Sequence, residues 1–93
     1  MSRNKKYYYA LLKPEDDAWL VSIPDLGIYT QGDDRTHAIV MGMDALRAMT
    51  GSLLDSGKPL PDPSNEDGVM KKARQDADED LDFADSEIVP LWY

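Results

Sequence analysis

Carboxylates are the most abundant side chains that could take part in catalysis or metal binding in this 93-residue chain. It holds eighteen Asp and Glu and one histidine. Acids hold metal pairs in nucleases when they converge from adjacent rigid elements. Here the acids lie in predicted turns, at a predicted helix cap and in one acidic segment, and the predicted core strands carry none. We therefore expect no catalytic residue and no metal site, and predict a protein that is not an enzyme.

The other reactive residue types give no recognisable site. The chain has no cysteine, which excludes disulfides, a cysteine nucleophile and Cys-based zinc sites. It also lacks a Gly-rich phosphate loop and a supported Ser-His-Asp arrangement. His37, predicted in the first turn of a helix, has two open roles, as a general base or as a partner contact, against the more common case of an exposed histidine without function. No cofactor is expected.

The net charge of −8 is concentrated in one segment. Residues 62–87 hold ten acids and three bases and carry −7, whereas the rest of the chain carries −1. Phosphate neutralisation needs clustered Lys and Arg, so a chain this acidic should be a poor non-specific binder of nucleic acid. A basic protein partner suits it better. The alternative is that the acids only keep a solvated segment soluble.

Aromatic residues form a second candidate surface. Tyr7 and Tyr9 lie in a predicted strand beside the basic residues Lys5 and Lys6. Aromatic side chains on a sheet face can stack RNA bases, so an RNA-binding module using Lys5, Lys6, Tyr7 and Tyr9 is one hypothesis. The competing interpretation is that the aromatics are core residues and half-exposed strand residues, because basic residues are not interleaved with them.

Predicted strands must position these aromatics. Residues 5–13, 19–23 and 28–31 are rich in aromatic and apolar side chains and predict three strands. Pro24–Gly27 separates the second and third strands by a tight turn, because proline fixes φ and glycine can supply a positive φ. These two strands should therefore form a hairpin. Residues 88–93 predict a final strand, which Pro90 assigns to an edge or a bulge.

A long helix should follow the third strand. Asp34 is its predicted N-cap, and it should end near Ser56 before Gly57. The predicted core stripe comprises Ala38, Ile39, Gly42, Ala45, Leu46, Met49 and Leu53. Gly42 indicates either a close approach of helix and sheet or a tolerated imperfection. The neighbouring apolar residues Val40, Met41 and Met43 form either a partner patch or ordinary surface.

The remaining segments complete an α+β domain. Residues 58–64 contain three prolines and predict an extended connector, residues 68–77 a short second helix, and residues 78–87 a mobile or weakly structured segment. The order β-β-β-α-(α)-β describes one domain over residues 1–93, with a three-stranded antiparallel meander, one long helix packed on the sheet and a final strand. The sequence has no signal-peptide pattern and no membrane-spanning run, so we expect a cytoplasmic protein.

Over residues 8–64 the sequence resembles the N-terminal domain of HicB-type antitoxins. The resemblance is carried by YYALLKPEDDAWLVSIPDL, the following TQGDD, the helix segment AIVMGMDAL and the exit LLDSGKPLPDPS. The acidic residues 65–87 match the family pattern poorly, and residues 88–93 provide the final strand. One departure is that Gly27-Ile28 follows Pro-Asp-Leu directly, one residue shorter than the family pattern.

The resemblance implies a partial RNase-H-like fold without nuclease residues and a role in a type II toxin–antitoxin pair. It also implies a HicA-like toxin as partner, a small basic protein that cleaves mRNA and whose RNA-binding and active face the antitoxin covers. An acidic chain has the complementary charge. Many family members continue into a DNA-binding domain that this sequence does not show, so no direct DNA binding is expected.

The candidate partner-binding residues are acids from two segments. They are Asp33, Asp34, Asp78, Glu79, Asp80 and Asp82. A small sheet with an aromatic terminal strand also predicts a homo-oligomer, in the form of a dimer.

Overall fold

Four antiparallel strands form one sheet in the computed structural model, which describes residues 7–76 and 86–93. The elements are β1 Tyr7–Glu15, β2 Ala18–Ile23, β3 Ile28–Gly32, α1 Arg35–Asp55, α2 Glu66–Asp76 and β4 Glu87–Trp92. The sheet order is β3-β2-β1-β4, so the final strand lies at an edge beside β1. The α+β class, the meander, the long helix and the edge position of the strand that contains Pro90 are confirmed.

The face of the sheet that packs against α1 holds the larger core. Because side chains alternate along a strand, β1 directs Tyr8, Ala10 and Leu12 to this face. From α1 the buried residues are Ala38, Gly42, Leu46 and Thr50, spaced four apart. Thr50 lies outside the predicted stripe. Its hydroxyl donates to the Leu46 carbonyl at 3.0 Å, which allows a polar side chain to be buried.

At Gly42 the backbone of α1 closely approaches side chains of the sheet. A Cβ at this position would lie 2.8 Å from Leu91 Cδ1 and 3.2 Å from Val21 Cγ1. The prediction of a close approach is therefore confirmed, and the alternative of a tolerated imperfection is wrong.

The opposite face of the sheet packs against α2 and holds a smaller core. Leu11 of β1 is buried with Val69 and Ala73 of α2. Tyr9, Leu20, Met70 and Ile88 pack around them and are partly exposed. The second helix therefore forms as predicted, begins two residues earlier than residue 68, and gives the sheet a helix on each face.

Local chemistry sets the ends of the elements. Pro24–Leu26 forms a single 3-10 turn, and Gly27 follows it with φ of 65°. Asp34 caps α1, and its carboxylate accepts the His37 N–H at 2.7 Å. Gly57 has φ of 73°, and the Gly57 and Lys58 N–H groups bond the carbonyls of Leu54 and Leu53, which is a Schellman ending.

The structure also corrects the boundary between the acidic segment and the final strand. Glu87 was predicted to belong to the weakly structured segment, and that prediction is wrong, because Glu87 pairs with Leu12 and begins β4. Ser86 has no regular secondary structure, as predicted, and residues 78–85 of that segment lie outside the described residues. Neither α1 nor α2, the helices of the described part, combines the length and apolar character needed to cross a lipid bilayer.

Candidate functional site

One end of the sheet gathers exposed carboxylates, and we call it the acidic end. It comprises Glu15, Asp16 and Asp17 of the β1–β2 turn and Asp33 and Asp34 of the β3–α1 corner. The pairings of Glu15 with Ala18 and of Trp19 with Gly32 bring the turn and the corner to the same end of adjacent strands. All five residues are exposed, so this end presents a concentrated negative charge to solvent.

The two aspartates of the corner have different roles. Asp34 accepts the His37 N–H, so its carboxylate is used by the helix. The Asp33 backbone N–H donates to His37 Nδ1 at 2.9 Å, so the His37 side chain accepts from the residue before the N-cap, one position earlier than Glu does in a capping box. The Asp33 side chain is 95% exposed and lies 3.7 Å from His37 Nδ1. Of the two, Asp33 is therefore the one available to a partner.

His37 has its Nδ1 occupied by this capping contact. Because Nδ1 accepts a hydrogen bond from the Asp33 N–H, the ring proton of the neutral imidazole lies on Nε2. His37 thus contributes to the geometry of the corner that presents Asp33.

An ion pair joins the acidic end to the edge strand. Arg35 Nε donates to Glu87 Oε1 at 2.9 Å, and Arg35 Nη2 donates to Glu87 Oε2, so the contact is bidentate. The hydrogen bond from Arg35 holds the pKa of Glu87 below its usual value, and the same contact raises the pKa of Arg35. The pair links the start of α1 to the start of β4.

The opposite end of the sheet holds a buried carboxylate. The Asp25 side chain has no exposed surface and accepts hydrogen bonds from Lys72 Nζ at 2.5 Å, Ser64 Oγ at 2.7 Å and the Ser64 N–H at 2.7 Å. Burial of the carboxyl group acts to raise the pKa of Asp25, but the hydrogen bonds from Lys72 and Ser64 outweigh it, so the pKa is lowered. We call this arrangement the Asp25 clamp: Asp25, Ser64 and Lys72.

A buried tyrosine holds the proline-rich connector beside the clamp. Tyr8 Oη donates to the Pro61 carbonyl. The Tyr8 ring stacks on Tyr93, with centroids 5.7 Å apart and planes 20° apart. Burial, with the neighbouring Tyr93 and Asp25, raises the pKa of Tyr8 to about 12. The tyrosine is therefore a neutral donor across the physiological range.

The clamp connects the Pro-Asp-Leu turn with the proline-rich connector, which are far apart in the sequence. Asp25 belongs to Pro-Asp-Leu and Ser64 ends the Gly-x-Pro-x-Pro-x-Pro-Ser exit, 39 residues later, yet they bond directly. The turn pattern indicated only local structure for Asp25. No local signal shows that this carboxylate would be buried and paired, since its partners come from the connector and from α2.

Three aromatic rings meet at the edge of the sheet. Tyr7 lies with its ring centroid 5.3 Å from that of Tyr9 and 4.8 Å from that of Trp92. The structure thus brings together the two predicted RNA-stacking residues, and it places Trp92 beside Tyr7. Tyr7 and Trp92 are directly paired in the β1–β4 register.

Six of the predicted site residues lie outside the described part of the chain. They are Lys5 and Lys6 of the RNA-binding hypothesis and Asp78, Glu79, Asp80 and Asp82 of the partner-binding hypothesis. Within residues 7–76 and 86–93, no three His, Asp or Glu side chains are placed to hold a metal ion.

The comparisons with known proteins point to one system. No protein-family model and no curated protein matches the sequence. Among solved structures, a chain of a toxin–antitoxin complex from Streptococcus pneumoniae matches with a TM-score of 0.74 and 28% sequence identity. The match covers 91% of this chain and 66% of that chain, so this chain spans slightly less than two thirds of the length of its structural neighbour. The fold is shared with a component of a toxin–antitoxin complex.

Proposed function

We propose that the chain is a HicB-like antitoxin of a type II toxin–antitoxin system. In this role it neutralises a HicA-type mRNA-cleaving toxin by binding and masking the toxin's RNA-binding and active face. The observation that carries the proposal is the match to a chain of a toxin–antitoxin complex over 91% of this chain. The HicB-like sequence marks in residues 8–64 support the choice of that family and of a partial RNase-H-like fold.

The charge of the chain supports the antitoxin side of such a pair. A toxin that cleaves mRNA must attract phosphates, which requires basic residues. This chain carries −8 and has a sequence pI of about 4.4. It is therefore suited to cover a basic surface rather than to bind RNA, and its function on this proposal is occlusion without catalysis.

The acidic end supplies a contact surface for a basic toxin. Its carboxylates are exposed on two short corners that the sheet and the α1 cap hold in place. Charge complementarity of this kind accelerates association and weakens with salt. We assign the leading contact to Asp33, because the Asp34 carboxylate caps α1. The acids Asp78, Glu79, Asp80 and Asp82 are proposed to add to the same attraction.

Co-expression with HicA-type toxins tests the function directly. The chain should restore growth to cells that express a cognate toxin, and purified toxin and chain should form a complex whose affinity falls steeply between low and physiological salt. If no HicA-type toxin binds the chain or is neutralised by it, the proposal is wrong.

Charge-reversal variants test the acidic end within that experiment. Replacing Asp16, Asp17 and Asp33 together by Lys should lower the association rate by at least about tenfold at low salt. Asp44→Lys is the control, because Asp44 is an exposed acid on α1 away from both corners. Equal rates for the triple variant and the control would remove the acidic end from the interface.

RNA binding through Lys5, Lys6, Tyr7 and Tyr9 is the alternative function. A gel-shift panel at low salt distinguishes the two. Retardation of RNA by the chain alone, lost on replacing Tyr7 and Tyr9 by Ala, would favour the RNA-binding module. The predicted homodimer is tested by light scattering of the purified chain.

A further inference from the structure

Helix α2 covers only part of its face of the sheet. On this face β1 and β4 present three paired rows: Leu11 with Ile88, Tyr9 with Pro90, and Tyr7 with Trp92. The helix buries Leu11 and packs beside Tyr9 and Ile88. Trp92 remains 55% exposed, and Pro90 is also exposed. Among the described residues, the face therefore ends in an aromatic surface that α2 leaves partly exposed, which we call the aromatic patch: Tyr7, Tyr9 and Trp92.

The rings of the aromatic patch form a shaped surface. Tyr7 meets Tyr9 edge-on, with planes 79° apart, and meets Trp92 at a tilt of 48°. Such edge contacts hold ring orientations, because the positive edge of one ring lies on the negative face of another. Trp92 is about half exposed, and tryptophan is the aromatic side chain that attracts a cation best.

A carboxylate begins the helix that packs beside these rings. Glu66 is the first residue of α2 and is exposed. It lies three and four residues before Val69 and Met70, on the side of α2 that packs with Leu11 and Tyr9. This spacing places a negative charge at the margin of the patch, so the patch combines aromatic rings with an acid. The pKa of Tyr9 is raised chiefly by its hydrogen bond to Tyr7 and by burial, and the charge of Glu66 adds to the rise.

The free edge of β4 is a poor site for adding another strand. Pro90 is in the middle of β4 and pairs with Tyr9, but proline has no N–H to donate. A partner strand would therefore lack a donor at the centre of this edge, which is a common protection against edge pairing. A partner at this corner should contact the aromatic face rather than extend the sheet.

We propose that the aromatic patch, together with Glu66, receives an arginine side chain from a basic partner protein. A guanidinium group can stack on Trp92 and pair with a carboxylate at the same time, because it is planar and has donors along its rim. The net charge of −8 favours a cationic partner. The inference rests on the proposed function in one respect, because the basic partner protein is taken to be the toxin.

A protein partner fits this surface better than RNA. The tilted, edge-on rings do not form a flat platform for successive bases. The Glu66 carboxylate would repel a phosphate backbone, whereas it attracts a guanidinium.

A charge-neutral ring deletion tests the patch. The probe is a fluorescein-labelled hexa-arginine peptide, with hexa-lysine as the comparison, and the readout is anisotropy with the full chain. Trp92→Leu should weaken hexa-arginine binding by about tenfold, Trp92→Phe by less, and hexa-lysine binding should change little for either variant. Tyr29→Leu is the matched control, an exposed aromatic on the same face at the other edge strand, and should leave both affinities unchanged.

The same variants with purified toxin separate the two proposals. If Trp92→Leu and wild type bind hexa-arginine equally, the inference about the patch is overturned, whatever the toxin does. If the ring dependence holds but no toxin binds the wild-type chain, the patch stands and the proposed function fails. If Trp92→Leu instead abolishes binding of a single-stranded RNA that wild type retards, the patch is an RNA site and the inference is overturned.

Discussion

At one end of the sheet, the Asp25 side chain has no exposed surface and accepts three hydrogen bonds. At the other end, the Asp33 side chain is 95% exposed and makes no hydrogen bond among the described contacts. Both are aspartates in short connections next to a strand. The difference lies in what the rest of the chain brings to each. The connector and α2 pack against Asp25. The described contacts of the acidic end are the helix cap, the Arg35–Glu87 pair, the 4.0 Å contact of Lys13 Nζ with Glu15 and the 3.7 Å contact of His37 with Asp33.

This contrast separates a structural acid from an acid available for binding. Burying a carboxylate is costly unless hydrogen bonds and a cation compensate, so the Asp25 clamp is expected to stabilise the fold only as a complete unit. An exposed carboxylate contributes little to stability and keeps its charge for a partner. Substitutions at the two ends should therefore affect different measurements.

Asp25→Ala should give the largest loss of stability. It leaves the Ser64 N–H without its acceptor, removes the cation's partner and detaches α2 from the turn before β3. Because Lys72 is partly exposed and can be hydrated, we expect a loss of about 2–4 kcal/mol in the free energy of unfolding. Urea denaturation measures it, with Asp62→Ala as an exposed control in the connector. A loss no greater than that of the control would show that the clamp is dispensable.

The clamp should also make stability depend on pH. The pKa of Asp25 is lower in the folded chain than its ordinary value, so its contribution is complete above that ordinary value of about 4 and is lost as pH falls through the folded value. The stability difference between wild type and Asp25→Asn should therefore shrink on acidification below about pH 4. Urea midpoints of both proteins from pH 7 to pH 2 test this. A constant difference would contradict it.

Gly32→Ala should show that the scaffold of the acidic end is also tightly packed. A Cβ at Gly32 would collide with the backbone N of Ala38 and would lie 2.6 Å from its Cα, and backbone atoms cannot move aside cheaply. We expect a loss of about 1–3 kcal/mol. Gly51→Ala is the matched control, since nothing lies within 4 Å of that Cβ, and it should gain up to about 1 kcal/mol from helix propensity. Thermal unfolding followed by circular dichroism compares them.

These substitutions also mark how far sequence reasoning reaches. The Asp34 cap and the Gly57 ending follow from local rules about dihedral angles and donors, and both were predictable. For Gly42 and Pro90 the sequence left two alternatives each, and the structure selects the close approach and the edge position. The Asp25 clamp and the meeting of Tyr7 with Trp92 depend on residues 39 to 85 positions apart. No periodicity or capping rule connects such positions, because their contact is decided by tertiary packing.

A comparison of Asp34→Ala with Asp33→Ala should sharpen the distinction within the acidic end itself. Asp34→Ala removes the N-cap of α1 and should cost about 1 kcal/mol, because the His37 N–H loses its acceptor. Asp33→Ala keeps the backbone N–H that donates to His37 Nδ1. It should therefore change the free energy of unfolding by less than about 0.5 kcal/mol. With a toxin the order should reverse: Asp33→Ala should weaken association more than Asp34→Ala, since only the Asp33 carboxylate is unused by the helix. Urea denaturation and association kinetics, measured on the same two proteins, decide it. If the same variant lost more stability and also associated more slowly with the toxin, the structural role and the binding role would not be divided between Asp34 and Asp33.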